Sequence, residues 1–250
     1  MNKDAKLTAL LPKYRFPEFD STGEWDIVSL SCLAKRVTAR NKENLVKRAL
    51  TNSATDGVVD QSDYFDKEVA SKSNPENYFI VDEGDYVYNP RISATAPVGP
   101  ISKNKLGKGV MSPLYTIFRF KNRYNDFYEH YFKTNLWHQY MKSISNTGAR
   151  HDRISISNDS FMKMPLPYHT EKEQQKIADC LNSLDELITA ENKKLEILKT
   201  HKKGLMQKLF PAEGKTVPEV RFEGYTGAWE QRKYSDIINL LSGQDFEPSD

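Results

Sequence analysis

The stretch TEKEQQKIADCLNSLDELITAENKKLEILKTHKKGLMQKLF, Thr170 to Phe210, decides the architecture, because its periodicity, capping and termination signals agree on one long helix. Thr170 followed by Glu173 has the form of a capping box, in which each side chain satisfies an orphan amide of the other residue. Apolar residues then recur at alternating spacings of four and three: Ile177, Leu181, Leu184, Ile188, Leu195, Leu198, Leu205 and Leu209, with Glu191 and Lys202 at the two positions that interrupt the series. A stripe repeating every 3.5 residues on average keeps facing one partner helix, which is the coiled-coil rule. About forty residues at about 1.5 Å each predict a rod of about 60 Å. Acidic residues gather near its start (Glu171, Glu173, Asp179) and lysines near its end (Lys199, Lys202, Lys203, Lys208), as the helix dipole favours. Pro211 and Gly214 end it. The competing reading is an amphipathic helix packed on its own domain; the sustained spacing favours pairing with a second, similar helix.

Outward from the helix, 250 residues with 38% hydrophobic content leave room for one good domain plus extras. No apolar run approaches the roughly 20 residues of a membrane span, and the segment around Lys3 and Lys6 lacks the features of a signal peptide, so a cytoplasmic protein is expected. Two cysteines, Cys32 and Cys180, supply neither a disulfide framework nor, alone, a zinc site. The net charge of +2 conceals a local asymmetry. Residues 54–85 carry nine acids against two bases, whereas residues 86–153 carry eleven bases against three acids. A concentrated positive block is the footprint expected of a polyanion binder, although a solvated charged face has the same composition.

An internal repeat is the second organising feature. Near the start, Pro12-Lys13-Tyr14-Arg15-Phe16 leads to Thr22-Gly23-Glu24-Trp25; near the end, Pro218-Glu219-Val220-Arg221-Phe222 leads to Thr226-Gly227-Ala228-Trp229. One repeat unit is therefore a whole domain plus the long helix. After Trp229 only Ile237-Ile238-Asn239-Leu240-Leu241 offers core-forming residues, so the second copy is the opening of another unit. The expected divisions are an N-terminal segment 1–25, a globular domain 26–168, the helix 170–210 and a truncated repeat 211–250, the last an arm expected to dock on the first domain.

Within the globular domain, Tyr78–Val81, Tyr86–Tyr88, Leu114–Phe120 and Arg153–Ser157 have strand character, separated by Gly84, Pro90, Pro97, Gly99 and Pro100. Asn125–Ile144 is predicted as one helix whose aromatics, including Phe127, Tyr128, Phe132 and Trp137, fill a core rather than stack on bases. The mixture predicts an α+β domain followed by a coiled-coil helix.

Catalytic patterns are missing. Around Gly107-Lys108 the next residue is Gly109, where a phosphate loop needs Ser or Thr. No G-x-S-x-G elbow occurs, and His130, His138, His151, His169 and His201 lack metal-binding spacing. Asn89-Pro90-Arg91 shares only two residues with an amino-methyltransferase tetrad, and no glycine-rich cofactor loop precedes it. Two polar clusters remain as candidate DNA readers: Arg91, Ser93 and Thr95, continuing to Lys103, Lys105 and Lys108; and Asn146, Thr147, Arg150, His151 and Arg153. Arginine clamps guanine and asparagine clamps adenine bidentately, while lysine anchors phosphates.

Met164-Pro165-Leu166-Pro167, Glu173-Gln174-Gln175-Lys176-Ile177-Ala178, Leu184-Asp185 and Lys203–Phe210, together with the repeated P-x-x-R-F and T-G-x-W blocks, resemble the DNA specificity subunits of Type I restriction-modification systems. The resemblance is strong at the helix and the repeat and weak between Ile27 and Phe161, which corresponds to the target recognition domain. It implies a non-catalytic subunit that reads double-stranded DNA. Its methylation subunits would carry S-adenosylmethionine, and its restriction subunit would use ATP and Mg. In that family two recognition domains read a split site and two antiparallel helices set its spacing. This chain has one domain and one helix, so the expectation is a half-length form that pairs through Ile177 to Leu209 with a second copy or another specificity chain. The alternative is a coiled-coil adaptor with a generic basic nucleic-acid-binding domain.

Overall fold

A computed structural model describes residues 12–64, 75–145 and 152–238, and the chain divides into two compact units, Met1–Asn182 and Ser183–Asp250. The first unit is an α+β domain organised on a four-stranded antiparallel sheet. Its order is β2 (Ala34–Arg36), β9 (Thr116–Phe120), β6 (Tyr86–Tyr88) and β7 (Ile101–Lys103). Successive side chains on a strand point to opposite faces, and both faces here are covered. Tyr86, Tyr88, Phe118 and Phe120 point to one core, which α3 (Asp126–Phe132) and α4 (His138–Ile144) cover with Phe127, Tyr128, Phe132, Trp137 and Met141. Val87 and Ile117 point to a second core, with Leu50, Val58, Phe79, Val81 and Met111. These last residues belong to the hairpin β3 (Leu50–Ser53) and β4 (Gly57–Asp60) and to the pair β5 (Phe79–Val81) and β8 (Gly109–Met111). Burial of each large apolar side chain contributes about 1.5–3 kcal/mol.

The predicted helix over 125–144 is two helices. Thr134 Oγ1 bonds the Tyr131 carbonyl at 2.8 Å and accepts from Leu136 N at 3.3 Å, closing a turn that breaks the helical ladder. The Phe132 carbonyl, left without a helical donor, accepts the Trp137 indole N–H at 3.2 Å, and the break lets that indole enter the core edge-on to Phe132. The strand expected at Arg153–Ser157 reduces to isolated bridge positions, at Arg153, which pairs with Arg91, and at Ser155. Ser157 instead caps α5 (Asn158–Met162), its hydroxyl accepting from Ser160 N at 3.1 Å.

β10 (Pro165–Tyr168) pairs with β1 (Asp26–Ser29) and leads directly into α6 (Glu171–Leu209), a single helix of 39 residues, about 58 Å long. Half of the predicted capping box forms: Glu173 N donates to Thr170 Oγ1 at 3.4 Å. The Glu173 carboxylate does not return the bond. It is fully buried and is gripped by Arg15 through Nε and Nη2, both at 2.8 Å, by the Trp25 indole N–H at 3.2 Å and by His169 Nδ1 at 2.7 Å. Arg15 also donates to the Gly23 carbonyl at 2.7 Å and to Thr22 Oγ1 at 2.8 Å. The P-x-x-R-F and T-G-x-W blocks of the first repeat thus form one clamp on the start of α6. Short α1 (Leu30–Leu33) and α2 (Gln61–Tyr64) complete the domain.

In the second unit the tail folds back on the end of α6. Val220 N donates to the Lys208 carbonyl at 3.0 Å, Lys208 pairs with Glu219 at 3.0 Å, and Trp229 stands edge-on to Phe210 at 5.7 Å. These described contacts of the arm are with the end of α6, within the second unit. Residues 239–241 of the expected apolar run lie outside the described residues.

Candidate nucleic-acid interface

The loop after β6 is built from the Asn89-Pro90-Arg91 turn. Asn89 Oδ1 accepts from Arg91 N at 3.0 Å and Asn89 Nδ2 donates to the Asn52 carbonyl at 2.9 Å, fixing the turn to β3. Gly99 makes the approach of the return strand possible: it sits at φ +81°, and a Cβ there would lie 2.0 Å from the Asn89 carbonyl oxygen. Ser93 bonds Thr95 Oγ1 and receives Ala96 N, both at 3.1 Å. Ile92 N donates to the Asp152 carbonyl and Ile154 N to the Pro90 carbonyl, both at 3.1 Å, which brings Arg153 beside Arg91. Asp152 lies between the two guanidiniums, 3.2 Å from Arg153 and 3.7 Å from Arg91. The hydrogen bond from Arg153, and then the charges of Arg153 and Arg91, hold its carboxyl below the usual carboxylate range.

Two adjoining clefts open at this loop. One, of about 330 Å³, is lined by Asn52, Ser53, Tyr78, Asn89, Arg91, Ser93, Tyr115 and Arg153. The other, of about 610 Å³, shares Tyr115 and Arg153 and adds Arg36, Arg40, Phe79, Tyr88 and Asn158. Arg40 lies over the Phe79 ring at 5.2 Å and donates to the Asn77 carbonyl at 3.0 Å. Tyr115 is held by a 2.8 Å hydroxyl contact with Thr51. Four arginines, amide side chains and aromatic faces therefore converge on one concave surface, the chemistry that suits phosphate anchoring and base-edge contact.

The predicted lysines are elsewhere. Lys103 pairs across the sheet with Tyr86, at the end of β6 opposite the Arg91 loop. It is 13% exposed and bonds Asp126 at 2.5 Å. Lys105 pairs with Glu129 at 2.6 Å, and Lys108 with Asp82 at 3.8 Å. Arg119 is held by Asp85 at 2.5 Å and Asp82 at 2.7 Å, and its hydrogen bond to Asp85 is the main cause of its raised pKa. Lys108 and Arg119 thus spend their charge on acids of the acidic block, and Lys103 and Lys105 on the acids of helix α3. Asn146, Thr147, Arg150 and His151 lie outside the described residues. Among the described residues no group of three or more His, Cys, Asp or Glu forms a metal site, and no helix is long and apolar enough to cross a membrane.

On α6, Ile177 packs into the domain core, and Leu209 is half-buried. Leu181, Leu184, Ile188, Leu195, Leu198 and Leu205 are exposed, Leu198 to 55%.

No protein-family model matches the chain. The MjaVIII specificity subunit, a Type I restriction enzyme protein of Methanocaldococcus jannaschii, is 27% identical over 238 residues, covering 91% of this chain and 52% of that protein. The chain is thus similar in sequence to specificity subunits of Type I restriction enzymes. It spans about half the length of that relative. A putative MjaX specificity subunit of the same organism is 38% identical over 69 residues, 28% of this chain and 16% of that protein. Among solved structures, the HsdS subunit of Thermoanaerobacter tengcongensis is 13% identical with a TM-score of 0.49, over 82% of this chain and 53% of that one. A chain from a study of complex assembly and conformational transition of the type I R-M system is 15% identical with a TM-score of 0.49, over 78% of this chain and 51% of that one.

The cleft residues that sequence reasoning missed are Arg36, Arg40, Asn52 and Tyr115. Arg36, Arg40 and Asn52 lie outside the block where basic charge is densest, and Tyr115 lies inside it but is uncharged. Arg36 and Arg40, four apart with Lys35, carried a weak signal; Asn52 and Tyr115 carried none.

Proposed function

We propose that this chain is a non-catalytic DNA-recognition subunit of a Type I restriction-modification complex, carrying one recognition domain and one long helix. Its arginine-lined double cleft reads one half of a bipartite double-stranded site. Its α6 packs against the equivalent helix of a second copy, so that two identical readers face an inverted, symmetric site. A helix of about 58 Å exceeds one turn of DNA, about 34–36 Å, which suits a site with an unread middle. Methylation subunits binding S-adenosylmethionine, and a restriction subunit using ATP and Mg, supply the chemistry. The observation that carries this reading is the exposed four-three series Leu184, Ile188, Leu195 and Leu198 on the long helix of a chain similar to specificity subunits.

The test is the mass of the purified chain, alone and with a cognate methylation subunit, together with sequencing of the methylated DNA. A dimer marking a split palindrome is expected. A chain that is monomeric in both settings, or an asymmetric mark that requires another specificity chain, would refute the symmetric pair.

A further inference from the structure

Two charges interrupt the apolar series of α6, Glu191 and Lys202, each at a seam position of the four-three repeat. Both are exposed in the single chain. Glu191 touches Lys194 at 3.4 Å, but with the two side chains 62% and 66% exposed that contact contributes little. On a helix left in solvent neither charge would matter. If a second copy buries Leu184, Ile188, Leu195 and Leu198, both charges enter the interface, where a charge without an opposite partner is costly. A parallel two-fold pair sets each seam position against its own copy, so that glutamate meets glutamate and lysine meets lysine. An antiparallel pair can avoid this. Placing Glu191 opposite the partner's Lys202 puts the two-fold axis between Glu196 and Ile197. That register also sets Leu195 opposite the partner's Leu198, Ile188 opposite the partner's Leu205 and Leu184 opposite the partner's Leu209. A shift of one heptad in either direction instead puts Glu191 against Leu195 or Leu209, and Lys202 against Leu184 or Leu198. The axis agrees with a second, independent feature. The part of α6 that belongs to the second unit, Ser183–Leu209, has its midpoint at residue 196, so the register that pairs the charges also overlaps this segment from end to end.

We infer that α6 pairs with a second copy of this chain in one antiparallel register, with Glu191 of each chain against the partner's Lys202, and that these two ion pairs choose the orientation and the register. The leucine layers supply the affinity, but leucine against leucine is nearly the same in neighbouring registers. The charged layers separate them, as a polar residue at a seam position does at some cost in stability. The same layers discriminate between partners, because a helix without the complementary charges would bury Glu191 and Lys202 unpaired. The inference rests on the reading that α6 pairs with a second copy; it adds the orientation, the register and the two residues that set them.

The test is charge reversal in the full chain, with mass followed by light scattering over a dilution series. Glu191→Lys and Lys202→Glu each bring like charges together at both ends of the seam, and each should weaken self-association at least about tenfold. Mixed in equal amounts, the two variants rebuild both opposite pairs between unlike chains and should recover that loss; a chain carrying both changes should recover it alone. A second measurement leaves the charges untouched. With the exposed Cys32 and Cys180 replaced by serine, a chain with Ile188→Cys should cross-link under oxidation to a chain with Leu205→Cys, and neither should cross-link to itself. In a parallel pair each would cross-link to itself. Reversals that associate like the parent, weakening that mixing does not repair, or self-linked cysteines would overturn the register while leaving the pairing of α6 standing. A parent chain that is monomeric at every concentration would remove the pairing and the register together. A chain that pairs in the expected register but marks an asymmetric site, or no DNA, would refute the symmetric reader and leave the register in place.

Discussion

Replacing Glu173 by alanine tests the packing at the start of α6. The carboxylate receives two bonds from Arg15 at 2.8 Å, one from Trp25 at 3.2 Å and a contact from His169 at 2.7 Å, all within a fully buried site. Removing one member of a buried ion pair strands the other and typically costs about 3–5 kcal/mol. Four donors lose their acceptor here, so the upper half of that range is expected. For a unit of this size 1 kcal/mol corresponds to about 2–4 °C, so the melting temperature should fall by about 10 °C or more. The effect is pH-dependent. Burial pushes the Glu173 carboxyl up, but the bonds from Arg15 and Trp25 and the charges of His169 and Arg15 outweigh it, leaving the folded pKa below the usual value. A carboxyl depressed in the folded state stabilises above its unfolded pKa, about 4.3, and loses that contribution as pH falls through the lower folded value. Thermal melts followed by circular dichroism at pH 7 and across the acid range would measure both effects. Glu173→Gln should flatten the acid limb. A melting temperature within about 2 °C of the parent at pH 7 would show that the four donors find other partners, and the account of the clamp would be wrong.

Leu184→Pro should break α6 at a cost of about 3 kcal/mol and abolish pairing, and an unchanged mass by light scattering would contradict the coiled-coil role. Arg36→Ala and Arg40→Ala should each weaken DNA binding about evenly across sequences and reduce the salt slope by about 1, as phosphate contacts do; Arg91→Ala should instead relax discrimination at particular base pairs, read out by sequencing methylated sites. Non-specific binding should vary with salt with a log–log slope near −4, from about four cleft arginines, rather than near −10 from eleven uncompensated bases. Gly99→Ala, strained by its φ of +81° and its 2.0 Å approach to Asn89, should destabilise by more than about 1 kcal/mol in a denaturant titration.

What was legible in the sequence follows from the range of the interactions concerned. The long helix was readable because its signal is local and repeats over many turns, and it emerged within a residue of Thr170 and Phe210 at each end. Tyr86–Tyr88 and Thr116–Phe120 were readable as strands because aromatic and β-branched residues crowd them. Ala34–Arg36 and Gly109–Met111 were not: three residues are too few to display alternation. The break between α3 and α4 depends on where one indole finds room, which no periodicity encodes. Glu173 was assigned to a local cap because its true partner, Arg15, lies 158 positions away. The same limit explains the charge reading. Counting bases over 86–153 located a real cluster at Arg91 and Arg153 but could not show that Lys103, Lys105 and Arg119 spend their charge on acids brought to them by folding.

That neutralisation bears on why a single reader would need a partner. With Lys103, Lys105, Lys108 and Arg119 paired to acids, the domain would gain less from counterion release than its count of bases suggests, and its grip on any one half-site, and on random DNA, would be correspondingly weaker. Weak non-specific binding favours discrimination, because competing sites then hold the protein less. Affinity must come from elsewhere. Joining two such readers through a stiff helix pair makes the second contact intramolecular, raising its effective concentration only where the half-sites stand at the distance the helix sets. Spacing would then be read as strictly as sequence: moving the half-sites apart by a few base pairs would leave each cleft's contacts intact yet forfeit the gain from simultaneous engagement. On this argument the uncovered leucines of α6 and the compensated Lys103, Lys105 and Lys108 would serve one purpose, the first supplying the avidity that the second withhold.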